Sequence, residues 1–280
     1  MSRTIGILHP GAMGVSVAAS AKNSGNTVYW AGEGRSATTH QRAEDVGLVD
    51  AGSLADLCQQ CEVILSVCPP AAAEQVAQDV IATEFSGLYL DANAIAPQRA
   101  ERIGQAMAEA GITFVDGGII GGPAWEPGRT WLYLSGQSAP EIAACFASGP
   151  LETSIVSEQI GQASALKMVF AAYSKGTTAL LAAIVATAES LGVREALNAQ
   201  WSRGGSTFAE ETEQRVRRVT AKAWRFEGEM HEIAATLAGA GLPDGFHLAA
   251  AEVYSRMADF KDAPETPELA AVLQALLESD

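Results

Sequence analysis

The sequence predicts an α/β fold built on a doubly wound parallel sheet. Two observations carry this prediction: apolar strand-like runs alternate with helical segments along the N-terminal half, and the first run leads directly into a Pro/Gly turn. Ligands of such sheets bind beyond the carboxyl ends of the strands. The predicted strands are Ile5 to Leu8, Thr27 to Trp30, Val63 to Val67, Leu88 to Asp91, Thr113 to Val115 and Trp131 to Leu134.

The composition is that of a soluble globular protein. The chain has 280 residues, of which 48% are hydrophobic, and a formal net charge of −15. This charge argues against nucleic acid and anionic lipid as partners. The longest uncharged stretch of the C-terminal half, Gly176 to Ala188, is shorter than the roughly 20 residues that span a bilayer, and predicts a buried helix. Because the N-terminus lacks the basic flank and cleavage site of a signal peptide, we expect a cytoplasmic protein with no membrane contact.

A glycine turn follows the first predicted strand. Gly11 would let the backbone approach a pyrophosphate, and Gly14 would let the next helix pack closely on the strand. The free N–H groups of that helix would then face the anion. His9 stands where the first glycine of G-x-G-x-x-G is usual, so an ordinary strand-turn-helix remains the alternative. The candidate cofactor-binding residues are His9, Pro10, Gly11, Ala12, Met13 and Gly14.

The segment after the second strand bears on the choice between NADP and NAD. An acidic residue at the strand tip would hold a ribose diol, whereas Arg with a hydroxyl suits a 2′-phosphate. Here Ala31 ends the strand, and Arg35 and Ser36 follow. These residues favour NADP(H) over NAD. Glu33 as a diol acceptor and Arg35 as a solvated loop residue are the alternatives.

Two further strand ends carry candidate binding loops. Cys68, Pro69 and Pro70 form a stiff loop after the third strand, since proline cannot continue a strand ladder. Asn93 follows the fourth strand, and its amide could orient a carboxamide or a substrate oxygen. Turn chemistry alone would explain either segment equally well.

The four cysteines give no metal signature. Cys58 and Cys61 form one C-x-x-C pair in the predicted helix from Leu54 to Cys61, and no second Cys/His pair with metal spacing accompanies them. We expect buried structural thiols and no metal, with a redox or zinc site as the alternative.

A glycine-dense segment and a lone lysine come next. Asp116 to Pro123 contains four glycines and predicts a loop, either a ligand-binding loop or simply a mobile one. A long helix then begins at Gly161 and runs to about Leu191. Lys167 would share one helical face with Phe170 and Ser174. An apolar setting would favour the neutral amine of a general base, and a snorkelling lysine is the alternative.

Five motifs, in the expected order, are similar to those of the β-hydroxyacid dehydrogenase superfamily, which includes 3-hydroxyisobutyrate and 6-phosphogluconate dehydrogenases. The chain most resembles an uncharacterised branch of phosphogluconate-dehydrogenase-like NAD(P)-dependent oxidoreductases. His9 to Gly14 resembles the G-L-G-x-M-G turn, Cys68 to Pro70 the proline loop, and Asp91 to Pro97 the D-x-[SN]-[ST]-x-x-P segment. Asp116 to Gly122 resembles the D-x-x-x-S-G-G substrate loop, and Gly161 to Lys167 the G-x-G-x-x-x-K catalytic helix.

The resemblance implies a Rossmann NAD(P)-binding domain over 1–158 and an all-helical substrate and dimerisation domain over 159–280. It also implies a homodimer whose helical domains complete each other's clefts. Apolar stripes that include Ile233, Leu237, Leu248 and Tyr254 agree with such an assembly.

The resemblance also assigns roles in the site. Lys167 would transfer the proton, Asn93 would help to position the reacting group, and Ser174 could assist Lys167 through water. Glu229 or His231 would take the place of the K-D-x-x-x-A helix that faces the cofactor in better-known members. The implied substrate-binding residues are Gly118, Ile119, Ile120, Gly121, Gly122, Phe170, Glu229 and His231.

Two departures from the superfamily bear on the substrate. Ile120 replaces the serine that binds a carboxylate, and Ala171 replaces the asparagine that partners the lysine. These changes point to a rather apolar small substrate, as do four aromatic residues that could instead be core: Trp125, Trp131, Phe170 and Tyr173.

We therefore expect an NADP(H)-dependent oxidoreductase that acts on a carbonyl or alcohol carbon. The segment from Asp116 to Pro123 also resembles the D-G-A-I-x-x-x-P loop of imine reductases, which usually lack a lysine at the position of Lys167. Imine reduction is therefore one alternative. A non-catalytic NADPH-binding regulator is the other.

Overall fold

The computed structural model describes residues 2–278, apart from the side chain of Asp262, and divides into two compact units, 1–168 and 169–280. The predicted domain boundary after residue 158 precedes the helix in which this division falls. The first unit contains a sheet of eight strands: β1 (Thr4–Ile7), β2 (Thr27–Trp30), β3 (Val49–Asp50), β4 (Val63–Ser66), β5 (Leu88–Asp91), β6 (Thr113–Gly121), β7 (Thr130–Ser135) and β8 (Leu151–Ser157). Its helices are α1 (Ala12–Asn23), α2 (Ala37–Asp45), α3 (Leu54–Gln60), α4 (Ala73–Ile81), α5 (Pro97–Glu109) and α6 (Ala139–Ala144).

The sheet has the strand order β3-β2-β1-β4-β5-β6-β7-β8, and the strands from β3 to β6 are all parallel. Chain order therefore reverses between β1 and β4, which is the switch point where ligands of open α/β sheets bind. Buried side chains form one cluster with α1, α2 and α6 and a second cluster with α3, α4 and α5. Helices cover both faces, and the predicted doubly wound α/β fold is confirmed.

β3 and β8 were not predicted from the sequence, and β7 was predicted with the wrong direction. β3 has two exposed residues, and β8 is a largely polar edge strand, so neither shows an apolar run. β7 pairs antiparallel with β6, while β8 is parallel to β7. The chain returns from β6 to β7 without a crossover helix, so the expectation of a wholly parallel sheet was wrong at this edge.

The second unit is helical, so a helical region follows the sheet as expected. A continuous helical segment consists of α7 (Gln162–Ala171), a π-helical turn (Ala172–Gly176) and α8 (Thr177–Ser190). The remaining helices are α9 (Arg194–Trp201), α10 (Phe208–Gly239), α11 (Gly245–Ser255) and α12 (Leu269–Leu277).

The segment from residue 162 to residue 190 is apolar enough, and long enough, to cross a membrane by composition alone. Only 44% of its most apolar 18-residue window is buried. Val169 is 54% exposed and Tyr173 is 74% exposed, but both precede the stretch from Gly176 to Ala188. That stretch is helical and mostly buried, as the sequence predicted. Core helices of soluble proteins pass the same length and composition test.

Candidate functional site

The turn after β1 has the geometry of an anion site. Gly11 is the N-cap of α1, no side chain caps this helix, and a Cβ on Gly11 would meet nothing within 4 Å. A Cβ on Gly14, by contrast, would overlap the carbonyl oxygen of His9. Gly14 therefore allows α1 to begin against the turn, and the open side of Gly11 has room for a ligand. These residues fit a dinucleotide pyrophosphate at the helix N-terminus.

His9 replaces a glycine in this turn without blocking it. Burial, reinforced by the positive charge of Arg35, lowers the pKa of His9 to about 4, so the imidazole is neutral at physiological pH. Its Nδ1 is buried and has no hydrogen-bond partner among the described residues. A buried polar atom without a partner is uncommon and points to a contact with a bound molecule.

Arg35 and Ser36 lie at the start of α2. Arg35 is exposed, and its Nη2 donates a long bond of 3.4 Å to the carbonyl of Leu8, which holds it near the turn after β1. The Ser36 hydroxyl caps α2 by accepting a hydrogen bond from the Thr39 N–H. A cation and a helix N-terminus therefore lie together beyond the carboxyl end of β2. A 2′-phosphate would be stabilised by the positive charge there.

Asp50, which no sequence pattern singled out, lies near the same place. This residue ends β3, and its Oδ1 accepts hydrogen bonds from the N–H groups of Gly32 and Gly52. The carboxylate thus lies next to the tip of β2, although Asp50 follows Gly32 by 18 residues in sequence. Its position makes Asp50, alongside Glu33, a second candidate acceptor for a ribose diol.

The Asn93 side chain is engaged by the protein itself. Its Oδ1 accepts from the Cys68 N–H at 2.6 Å, while its Nδ2 donates to Ser66 Oγ and to Asp91 Oδ2. Both amide protons of Asn93 are used within the protein. The predicted direct contact with a carboxamide or substrate can therefore be made only through the second lone pair of Oδ1. Asn93 instead ties the Cys68–Pro70 loop to the end of β5.

Asp91 lies beneath this network. Its Oδ1 accepts from the Asn93 N–H, and it is the register partner of Asp116 in the neighbouring strand. Complete burial, together with the nearby Asp116 charge, raises the pKa of Asp91 to about 7 despite the hydrogen bonds from Asn93. A buried carboxyl near neutrality at a strand end is typical of a functional site.

The glycine-dense segment is part of a strand, so the predicted loop is wrong. β6 continues to Gly121 because β7 pairs with it from Asp116 onward. Ile119 and Ile120 are only 6% and 9% exposed, so these two predicted substrate residues lie inside the sheet. Glycines in a paired strand leave no side-chain pattern from which the strand could be recognised.

Gly118 permits the close approach of α7, which carries Lys167. A Cβ on Gly118 would lie 2.6 Å from the carbonyl oxygen of Ala163 and 2.9 Å from Lys167 Cβ. The base of the lysine side chain is therefore held against β6. Lys167 is half-buried and has an interaction partner in the chain. A Cβ on Gly122 would meet nothing within 4 Å, so the space on that side of the chain beyond β6 is open.

Asp116 fixes the beginning of α7, a role that was not predicted from the sequence. Its Oδ2 accepts from the N–H groups of Gly161, Ala163 and Ser164 at 3.0 to 3.1 Å. The hydroxyls of Ser135 and Ser164 also donate to this carboxylate. Burial raises the pKa of Asp116, and these hydrogen bonds to its carboxylate lower it in part. Since at least 45 residues separate Asp116 from this helix, no local capping pattern reveals the contact.

The remaining predicted residues belong to the helical unit. The Ser174 hydroxyl donates to the carbonyl of Phe170 inside the π-helical turn, which breaks the 3.6-residue spacing on which its predicted face depends. Phe170 is exposed, and His231 is exposed on α10. Glu229 forms an ion pair with Lys175, and these side chains are 14% and 16% exposed. A substrate that contacts Glu229, as predicted, would therefore share its carboxylate with Lys175.

The thiols agree with a structural role. All four cysteines are free, and Cys58, Cys61 and Cys145 are buried. Burial raises the pKa of Cys61 to about 12 and that of Cys68 to about 11. Thiols with raised pKa values are poor nucleophiles at neutral pH.

Comparison with protein families agrees with the two-part architecture. Residues 4–139 match the NAD binding domain of 6-phosphogluconate dehydrogenase, and residues 188–257 match a domain of unknown function, DUF1932. The chain is 30% identical over 214 residues to L-threonate dehydrogenase of Cupriavidus necator, covering 71% of this chain and 67% of that protein. It is 28% identical over 166 residues to an uncharacterized 28.5 kDa protein of Methanothermus fervidus, covering 59% of this chain and 63% of that protein.

Solved structures share the fold. One is a conserved protein described as similar to 3-hydroxyacid dehydrogenases, with 25% identity, a TM-score of 0.67 and coverage of 91% of this chain and 97% of that one. Another is 3-hydroxyisobutyrate dehydrogenase of Mycobacterium tuberculosis, with 17% identity, a TM-score of 0.71 and coverage of 99% and 100%. An imine reductase of Streptomyces aurantiacus has 18% identity, a TM-score of 0.56 and coverage of 99% and 100%.

The fold and the glycine turn define a Rossmann-type oxidoreductase with a helical C-terminal region. The match to a curated dehydrogenase over two thirds of its length specifies the class further. The chain belongs to the β-hydroxyacid dehydrogenase-like family, whose members are NAD(P)-dependent dehydrogenases.

Proposed function

We propose that this chain is an NADP(H)-dependent oxidoreductase for the carbonyl or alcohol carbon of a small, rather apolar substrate. Residues 1–158 bind the cofactor in this proposal, and 159–280 supply substrate and dimer contacts. The observation that carries it is Lys167, held against β6 at Gly118 on a helix whose start is fixed by Asp116. A proton-transfer group needs this kind of fixed placement.

The protein residues have separable tasks in this reaction. The turn from His9 to Gly14 and the uncapped start of α1 bind the pyrophosphate, and the Asn93–Cys68 tie holds the adjoining loop. When bound, the nicotinamide supplies or accepts the hydride. Lys167 donates a proton to the substrate oxygen during carbonyl reduction, or accepts that proton during alcohol oxidation. Asn93 acts as a positioning residue, because its side chain is engaged within the protein.

A substrate screen tests the proposal. Purified protein is mixed with NADPH or NADP⁺ and a panel of ketones, aldehydes, 3-hydroxyacids and cyclic imines, and the nicotinamide absorbance is followed. Since one relative is an L-threonate dehydrogenase, sugar acids of that kind belong in the panel. Turnover of carbonyl or hydroxy compounds supports the proposal, and turnover confined to cyclic imines would replace it with imine reduction. Tight NADPH binding without any turnover would favour a binding protein.

The cofactor preference gives a quantitative prediction. Arg35 offers donors to a 2′-phosphate, so we expect NADPH to bind at least ~10-fold more tightly than NADH, about 1.4 kcal/mol. Arg35→Ala should abolish the difference, while Arg42→Ala, the same charge change at the other end of α2, should preserve it. Calorimetric titration measures both. Equal affinities in the unmodified protein would instead point to Glu33 or Asp50 as a diol acceptor.

The oligomeric state gives a second prediction. Ile233 and Tyr254, expected at an interface, are buried within the single chain, whereas Val169, Phe170 and Tyr173 are exposed. Covering such apolar side chains is favourable, and we propose a cytoplasmic homodimer with shared clefts. Light scattering at micromolar concentration should give twice the chain mass of 29.1 kDa. A monomer under these conditions would contradict the proposal.

A further inference from the structure

Basic residues concentrate on one part of α10. The chain has 18 Lys and Arg residues and 33 Asp and Glu residues. Positions 215–225 alone include five of these cations, namely Arg215, Arg217, Arg218, Lys222 and Arg225. The net charge of the chain is −15, so this cluster forms a local region of positive potential on an otherwise acidic protein.

Three of these cations line one groove, with a volume of about 490 Å³. Arg215, Arg218 and Lys222 come from α10, while Thr178 is contributed by α8. Val219 and Phe226 add an apolar part to the lining. The groove therefore combines donors for an anion with a surface for the organic part of a small molecule.

The groove cations have no acidic partner. Among residues 2–278 with described side chains, no carboxylate lies within 4 Å of Arg215, Arg218 or Lys222. Arg217, in the same helical turn, does pair with Glu268 at 2.9 Å. Glu211 also lines the groove, and its carboxylate accepts from the Thr207 hydroxyl. Three cations and one carboxylate leave an excess of positive charge suited to a dianion.

Arg215 is oriented before any ligand arrives. Its Nε donates to Thr178 Oγ1, and its Nη2 donates to the carbonyl of Ser174, both at 2.6 Å. These bonds fix the guanidinium plane and leave Nη1 available. A guanidinium held in this way loses little conformational freedom on binding, and its donors match the oxygens of a phosphate group.

We propose that this groove, formed by α8 and α10, binds the dianionic phosphate group of a small molecule. Phosphate carries a charge between about −1.5 and −2 near neutral pH, which matches the groove better than a single carboxylate does. The groove belongs entirely to the helical unit and is separate in sequence from the cofactor turn. None of its lining residues has a role in the proposed dehydrogenase chemistry, so the groove is an additional anion site in this proposal.

Titration with inorganic phosphate at constant ionic strength, followed by ³¹P NMR, tests this site. We expect saturable binding, and a loss of at least ~10-fold in affinity in the double variant Arg218→Ala/Lys222→Ala, since each replacement removes a charge-assisted contact. Both residues are exposed, so the fold should tolerate the change. Arg225→Ala is the single-charge control, compared with Arg218→Ala and Lys222→Ala taken one at a time, because Arg225 contacts Trp224 outside the groove.

Three outcomes would overturn the proposal. The first is an absence of saturable binding up to about 10 mM phosphate, a range in which even a weak specific site is detected. The second is an equal loss of affinity in Arg225→Ala, which would indicate a general charge effect. The third is a loss in Arg35→Ala with none in the double variant, which would place the phosphate at the cofactor turn. Failure of the substrate screen leaves this test unaffected, because phosphate binding is measured without turnover.

Discussion

Lys167→Met should lower turnover by roughly 10²- to 10⁴-fold, the usual contribution of a general acid or base, while leaving NADPH affinity nearly unchanged. Methionine keeps the apolar stem that packs against Gly118 and removes only the ammonium group. The packing of α7 on β6 should therefore survive. Steady-state rates with the best substrate from the screen, together with calorimetric NADPH binding, separate the two effects.

Lys22→Met is the matched control for that variant. Lys22 lies in the last turn of α1, and its Nζ donates to the carbonyls of Val46 and Gly47, at the end of the helix opposite the glycine turn. Its replacement should leave turnover within about twofold, as expected for a surface change away from the site. Full activity in Lys167→Met would reject the proton-transfer role. Activity retained with cyclic imines alone would favour imine reduction.

Asp116→Ala should destabilise the protein by about 3–5 kcal/mol, the scale observed when one partner of a buried charged network is removed. The N–H groups of Gly161 and Ser164 and the two serine hydroxyls would lose this acceptor in a buried environment, while the Ala163 N–H would keep its bond to Ser135 Oγ. Urea unfolding of the variant and the unmodified protein measures the free-energy difference.

Asp116→Asn provides the graded comparison. It keeps the size of the side chain and one oxygen acceptor, so its loss of stability should be intermediate. Asp79→Ala, at an exposed position of α4, should change the free energy of unfolding by no more than about 0.5 kcal/mol. If Asp116→Ala matched this exposed control, the carboxylate would have no structural role at the start of α7.

Features that depend on residues close together in sequence could be predicted from the sequence. Apolar runs located six of the eight strands, and the His9 to Gly14 turn predicted the start of α1. β8 escaped because an edge strand needs few apolar residues. The strand character of Gly117 to Gly121 escaped because it depends on pairing with β7 rather than on its own side chains.

Contacts between distant segments explain the rest. The carboxylates of Asp116 and Asp50 were each placed by backbone groups that the sequence gives no means of pairing with them. The Lys175–Glu229 pair joins residues 54 positions apart. Glu229 was expected to face the substrate, and the folded chain pairs it with Lys175.

The bond from the Cys68 N–H to Asn93 Oδ1 has a thermodynamic consequence for ligand binding. It joins the loops after β4 and β5 in the free protein, so neither has to be immobilised separately when a ligand arrives. The two loops lose their conformational entropy when the protein folds. The entropic cost of binding a ligand is therefore smaller. A ligand at this sheet edge meets a surface that is already rigid, so changes in its affinity should appear mainly in the rate of dissociation.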